Sequence, residues 1–132
     1  MTIGADIREY QQTLSSEDRA LCAALDAHIE RVLPEAEGKI WHRHPVWFLD
    51  GNPIVGYHRL KTGLRVLFWS GQSFSTQGLA KSGTFQAAEF YPQDTDALAE
   101  SPFDQWLLES RDIQWDYKNI VKKKRLEKAT SF

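Results

Sequence analysis

The chain has 132 residues, of which 42% are hydrophobic and 26% charged, and a formal net charge of −2. That length suits one domain, residues 1–132, with a core large enough to need no cross-links, and the composition excludes a disordered or fibrous chain. The near-neutral balance excludes a global basic field for nucleic acid, the single cysteine excludes an intrachain disulfide or a cysteine zinc site, and no apolar run approaches the ~20 residues that span a bilayer.

Met1–Asp6 lacks a basic stretch followed by an apolar core, so no signal peptide is expected and a cytoplasmic location is. Ile3, Ile7, Tyr10 and Leu14 recur at helical spacing, which predicts a helix over 3–14. Ser15 and Ser16 offer an N-cap, and Glu17 and Asp18 sit where the helix dipole favours acids. Leu21, Leu25, Ile29 and Val32 or Leu33 then form an amphipathic stripe that Pro34 ends. Cys22 lies beside that stripe and reads as a buried, inert thiol.

Residues 39–69 read as three strands. The first, 39–49, is interrupted by Pro45, which suits an edge or a bend. Asp50-Gly51-Asn52-Pro53 is a turn, 54–60 the next strand, Lys61-Thr62-Gly63 another turn, and 65–69 the third strand. Such short loops imply an antiparallel meander. Residues 73–82 form a loop or a short helix, and 84–91 alternate as a further strand that Pro92 stops. Asp94-Thr95-Asp96 caps one helix and Ser101-Pro102 opens another. Trp115, Ile120 and Val121 carry a helical pattern into a basic tail from about residue 122. Residues 1–37 are net acidic and 111–132 net basic, which reads as two solvated helix faces. The expected fold is α+β in two layers: a mostly antiparallel sheet of about five strands with helices on one face.

Three features could carry function. His42 and His44 are two apart on a predicted strand, which puts them on one face about 7 Å apart. His58 on the next strand is placed to approach His44. Aromatics crowd the sheet, with Trp41, Trp47, Tyr57 and Trp69 joined by Trp115 and Tyr117 from the C-terminal part. Trp and Tyr combine an apolar body with a polar handle, so those outside the core would line a pocket or an interface. At least one of Trp41, Trp47, Trp69 and Trp115 is expected to stay partly exposed in a pocket or a subunit contact, and Trp47, which follows Pro45 near an expected sheet edge, is the favoured one. Glu89, isolated in an apolar strand, needs a basic partner, and Arg43, Arg59 and Arg65 are its candidates. No phosphate-binding glycine loop, nucleophile elbow or zinc-helix motif occurs.

Ile40-Trp41-His42-Arg43-His44-Pro45-Val46-Trp47 and Gly51-Asn52-Pro53-Ile54-Val55-Gly56-Tyr57 together resemble the YdhG-like family of small domains of unknown function. Leu33-Pro34-Glu35, the stretch Gly78–Gly83 and Ile113–Val121 extend the likeness over roughly residues 15–125. Arg43 stands where relatives usually place a small residue, often Gly. The resemblance implies helices on one face of a mostly antiparallel sheet, like secretion chaperones and, distantly, frataxin. Some relatives are described as frataxin-like iron chaperones, which bind iron through acidic clusters. Here Glu17, Asp18, Asp26 and Glu30 would supply part of one, with Asp26 and Glu30 on one helix face.

The function expected is a non-catalytic cytoplasmic binding or adaptor domain without a cofactor, acting through Trp41, His44, Trp47, Tyr57, His58, Trp69, Trp115 and Tyr117. Its partner would be a protein or a small molecule, neither nucleic acid nor membrane, and a second copy of the chain is one candidate. The alternatives are an iron chaperone using those carboxylates with His44 and His58, and a small-molecule enzyme with either histidine as acid or base.

Overall fold

A computed structural model describes residues 4–130. Helix α1 (Ala5–Gln12) is followed by α2 (Ser16–Val32), which starts where Ser15 caps it by accepting the Asp18 N–H at 3.2 Å. Ile3, the first residue of the expected apolar stripe, lies outside the described residues. Four strands then run as a meander: β1 (Glu37–Trp41), β2 (His44–Leu49), β3 (Asn52–Leu60) and β4 (Gly63–Phe68). Two short strands, β5 (Ala80–Lys81) and β6 (Ala88–Phe90), precede α3 (Thr95–Glu100), α4 (Phe103–Asp112) and the one-turn α5 (Ile120–Lys123). All neighbours pair antiparallel, in the order β1-β2-β3-β4-β6-β5. The α+β fold is as expected from the sequence, with six strands instead of about five.

Beyond the four strands placed on the sequence, one is β5, inside the stretch read as a loop or a short helix, and the other comes from the stretch read as 39–49. That last stretch is two strands, and the chain reverses at His42-Arg43, where both residues take positive φ (52° and 74°). A two-residue hairpin of this hand needs left-handed backbone at both central positions, a geometry usually signalled by Asn-Gly or Asp-Gly. Asp50-Gly51, the next turn, shows that signal and adopts the same geometry at φ 50° and 79°. His42-Arg43 does not show it. Pro45, taken as the interruption, sits inside β2 opposite Ile40. His42 is therefore in a turn and exposed, and does not share a strand face with His44.

The reversal decides which residues face the helices. Trp47 lies across from Gly38 and Val55, on the inward side, and is fully buried. A Cβ on Gly38 would stand 2.6 Å from Trp47 Nε1, so the indole occupies space that only glycine leaves. Trp47, expected to be partly exposed, is instead a core residue. Leu21, Leu25 and Ile29 from α2 meet Val66 and Phe68 from β4 in the same core, as their periodicity required, and Ile7, Phe103, Trp106 and Leu107 complete it. Inside this layer one carboxylate is buried. Asp26 accepts hydrogen bonds from Tyr57 Oη at 2.8 Å and Gln11 Nε2 at 2.6 Å. Burial pushes its pKa up, against the pull of those two donors. Cys22 lies in the same layer, its thiol pushed up to about 12 by burial and by Asp26. It is an inert core thiol.

Two further expectations are corrected. The strand read over 84–91 is only Ala88–Phe90, and Phe85 projects into solvent. The C-terminal stretch is not a continuous helix. After α4 it runs irregularly, makes one turn at α5, and returns so that Trp115 bridges Lys128 in β fashion. Its bases are used locally, with Lys123 Nζ lying 3.3 Å from Asp116 and 3.2 Å from Glu127.

Candidate functional site

The α-helices α1–α4 pack on one face of the sheet, and alternation sends the remaining strand residues to the other. On that second face β1 presents Glu37, Lys39 and Trp41. β2 presents His44, Val46 and Phe48, β3 Gly56 and His58, β4 Arg65 and Leu67, and β6 Glu89. The face has two halves. One is apolar: Val46, Phe48 and Trp69 form a small second core, with Trp41, Leu67 and Tyr117 packed against it. The Trp41 ring sits 5.5 Å from Phe48 and 6.1 Å from Trp69, and remains partly exposed.

The other half is polar. His44 and His58, on adjacent strands, stack with ring centroids 4.6 Å apart and planes 14° from parallel. His58 pairs directly with Arg65 in the β3–β4 register. Arg65 Nη1 lies 3.9 Å from Glu89 Oε2, an ion pair too long for a hydrogen bond, and each side chain is about one quarter exposed. Of the three arginines considered for Glu89, the sheet register selects this one.

The electrostatics of this half are unusual. His44 is only 8% exposed, and its pKa is lowered to about 4, first by burial and then by His58. His58 is also lowered, by burial and by Arg65. Both rings are therefore neutral near pH 7. Among the described residues, four buried side-chain atoms make no hydrogen bond: His44 Nδ1, Arg65 Nε, Trp47 Nε1 and Glu30 Oε1. Two of the four belong to this polar half.

The structure thus gathers Trp41, His44, His58, Trp69 and Tyr117 on one face. It separates Trp47 and Tyr57, whose rings are 5.7 Å apart in the helix-side core. Trp115 serves as an anchor: its backbone N–H donates to Ser70 Oγ and its indole to Ser73 Oγ, both at 2.9 Å. Tyr117 Oη accepts the Gln86 N–H at 3.0 Å, so these two aromatics pin the C-terminal segment to the end of the sheet. The carboxylates read as an iron site do not form a ridge, since Asp26 is buried and Asp18 pairs with Arg59 at 3.4 Å. Among the described residues no three His, Cys, Asp or Glu side chains are grouped to hold a metal ion. No helix of the described residues is long and apolar enough to cross a membrane. Sequence reasoning gave Arg65 only a structural role. Its place beside His58 follows from the two-residue turn at Lys61-Thr62, which fixes the register.

The fold is similar to that of YdhG, a Bacillus subtilis protein of the DUF1801 family known from its crystal structure. The two chains are 19% identical with a TM-score of 0.53, and the match covers 92% of this chain and 94% of that one. This agrees with the resemblance carried by residues 40–47 and 51–57, and at that identity it establishes the fold. No family model and no curated protein matches the chain.

Proposed function

We propose that this chain is a non-catalytic binding domain whose ligand-accepting surface is the sheet face turned away from the helices, and that it acts in the cytoplasm on a small molecule. The observation that supports this reading is the pairing, on that face, of two buried polar atoms without protein partners, His44 Nδ1 and Arg65 Nε. Buried polar groups are almost always hydrogen-bonded, and leaving one unmade costs about 1–3 kcal/mol. A fold that carries two of them beside a partly exposed Trp41 has a surface that a ligand would complete.

The histidines fit binding better than proton transfer. A base that works near neutral pH needs a pKa near 7 and, as a rule, a carboxylate that orients it. His44 titrates near 4, and its ring meets another imidazole and the Pro45 backbone, not a carboxylate.

The reading is tested by recording amide and indole NMR shifts of the full chain while surveying a library of small polar fragments. Binding fragments are expected to move the Trp41 indole and the signals of His44, His58 and Arg65. Perturbations centred instead on the 360 Å³ cleft lined by Gly71, Phe74, Gly78 and Leu79 would reject this face.

A further inference from the structure

We infer that the polar half of the open sheet face binds an oxyanion, a carboxylate or a phosphate group, held by Arg65 with the His44–His58 stack beside it; this rests on the binding-face reading above.

Arg65 is the main reason. A guanidinium carries five donors in a planar fork, and that fork matches the paired oxygens of a carboxylate or phosphate. Here the charged group within reach is Glu89 at 3.9 Å, and Nε is buried with no hydrogen bond. A structural arginine on a sheet surface would close on its carboxylate at hydrogen-bond distance or extend into water. This one stops short of its carboxylate, and although about a quarter of its side chain meets solvent, its Nε is enclosed without a partner.

His44 supplies an independent observation. It is 8% exposed, its Nδ1 makes no hydrogen bond, and the stack on His58 fixes the plane of its ring. A neutral imidazole can donate one N–H to an oxyanion, and a bound negative charge favours protonation of the other nitrogen.

The charge around the stack decides the sign of the ligand. Beside the stack of His44 from β2 and His58 from β3 stand Arg65 from β4 and, next to it, Glu89 from β6, while Glu37 and Lys39 from β1 lie opposite Phe48 and Val46 in the apolar half. His42 and Arg43 stand in the adjoining turn. The charges within the polar half are Arg65 and Glu89, and both histidines, depressed first by burial, are depressed further by the fixed positive charge of Arg65. A metal cation would be repelled by Arg65 and would find two imidazoles without a third ligand. An oxyanion would relieve the depression and supply acceptors to Arg65.

The experiment follows the imidazole signals of the full chain, labelled with nitrogen-15 at histidine. Inorganic phosphate and acetate are titrated separately, at constant ionic strength held with chloride, so that general screening stays fixed. Saturable shifts of both His44 and His58 are expected. A response to phosphate alone identifies a phosphate site, to acetate alone a carboxylate site, and to both a shared oxyanion site. Arg65→Gln should weaken binding at least about tenfold, the scale of losing charge-assisted hydrogen bonds. Glu89→Gln, which removes the competing carboxylate, should tighten it. Should Arg65→Gln fail to fold, Arg65→Lys keeps the charge without the fork and should still weaken binding. No saturable shift with either anion overturns the inference. So does binding undiminished in a folded Arg65 variant and untouched by Glu89→Gln. If fragments map to this face while neither anion shifts the histidines, the oxyanion assignment alone fails. If fragments also avoid the face, the binding-face reading fails with it.

Discussion

The two faces of the sheet treat buried polar groups in opposite ways. On the helix side Asp26 is enclosed, yet both its oxygens are bonded, one by Tyr57 and one by Gln11. On the open side His44 is buried and Arg65 is about one quarter exposed, and each keeps an enclosed atom without a hydrogen bond. Around Asp26 the helix face resolves its polar burial internally, as a structural core must. The open face leaves it unresolved where no α-helix lies over it. Two atoms outside the open face are exceptions: Trp47 Nε1, a donor left unmade where the indole lies against Gly38, and Glu30 Oε1 on α2.

The contrast is broken or sharpened most strongly by truncating each side. Leu25 is fully buried on the helix face, so Leu25→Ala should cost about 2–5 kcal/mol in chemical denaturation, the transfer loss plus the cavity left behind. Trp41→Ala on the partly exposed aromatic edge should cost distinctly less. Equal losses would mean that the open face is as much a core as the other.

Acid should separate the faces by sign. His44 has a folded pKa near 4, below its ordinary 6.5, so the unfolded chain binds the proton more readily. Its contribution is present above pH 6.5 and is lost as pH falls towards 4, by about 3 kcal/mol at most. Asp26 runs the other way. Its folded pKa is raised above 3.8 by burial, so the folded chain holds that proton more tightly. Stability then gains from Asp26 as pH falls through its raised pKa and loses as pH rises. Denaturation curves of the wild type, His44→Gln and Asp26→Asn between pH 4 and 8 should show it. His44→Gln should flatten the acid loss, and Asp26→Asn should steepen it. The same slope in all three would assign the acid response to other groups.

A smaller effect tests how tightly the helix side is fitted. Gly38→Ala places a methyl against the Trp47 indole, and such overpacking should cost about 1–3 kcal/mol. The indole cannot retreat without disturbing Tyr57, whose ring is 5.7 Å away. A neutral result would show that the inward layer has slack at β1.

Much of this organisation was legible in the residues. The stripe of Leu21, Leu25 and Ile29 specified α2 and its buried face, and Ser15 specified its start. Asp50-Gly51 specified a tight turn because glycine accepts left-handed backbone without steric cost. The approach of His58 to His44 followed from short antiparallel connections. The β1–β2 reversal was missed because His42-Arg43 lacks the Asn-Gly or Asp-Gly signal, and the small residue usual at Arg43 in the resembling family was its one hint. Missing it put His42 on a strand face with His44 and left Trp41 out of step with His44, since a two-residue turn changes the alternation of the residues before it relative to β2. The state of Arg65 was also hidden. Sequence offered it with Arg43 and Arg59 as a candidate partner of Glu89, but only the geometry reveals a separation of 3.9 Å and an unbonded Nε.

That reversal supplies the smallest predicted effect, and it bears on how the two faces are assigned. Arg43 holds φ at 74°, a region that costs a residue with a Cβ about 1–2 kcal/mol. Glycine would remove that strain but give the unfolded chain more freedom, which returns part of the gain. Arg43→Gly should therefore stabilise the protein by no more than about 1 kcal/mol, read as a small rise in denaturation midpoint at unchanged slope. The turn would keep its two-residue length, so Trp47 would stay inward and the Trp41 indole outward. Tryptophan emission and iodide quenching should match the wild type. A loss of stability would show that the Arg43 side chain contributes more than its backbone strain costs. If the stability gain came with a newly quenchable tryptophan, the hairpin would have shifted register. The inward and outward sets of β1 and β2 would then owe their places to Arg43 itself.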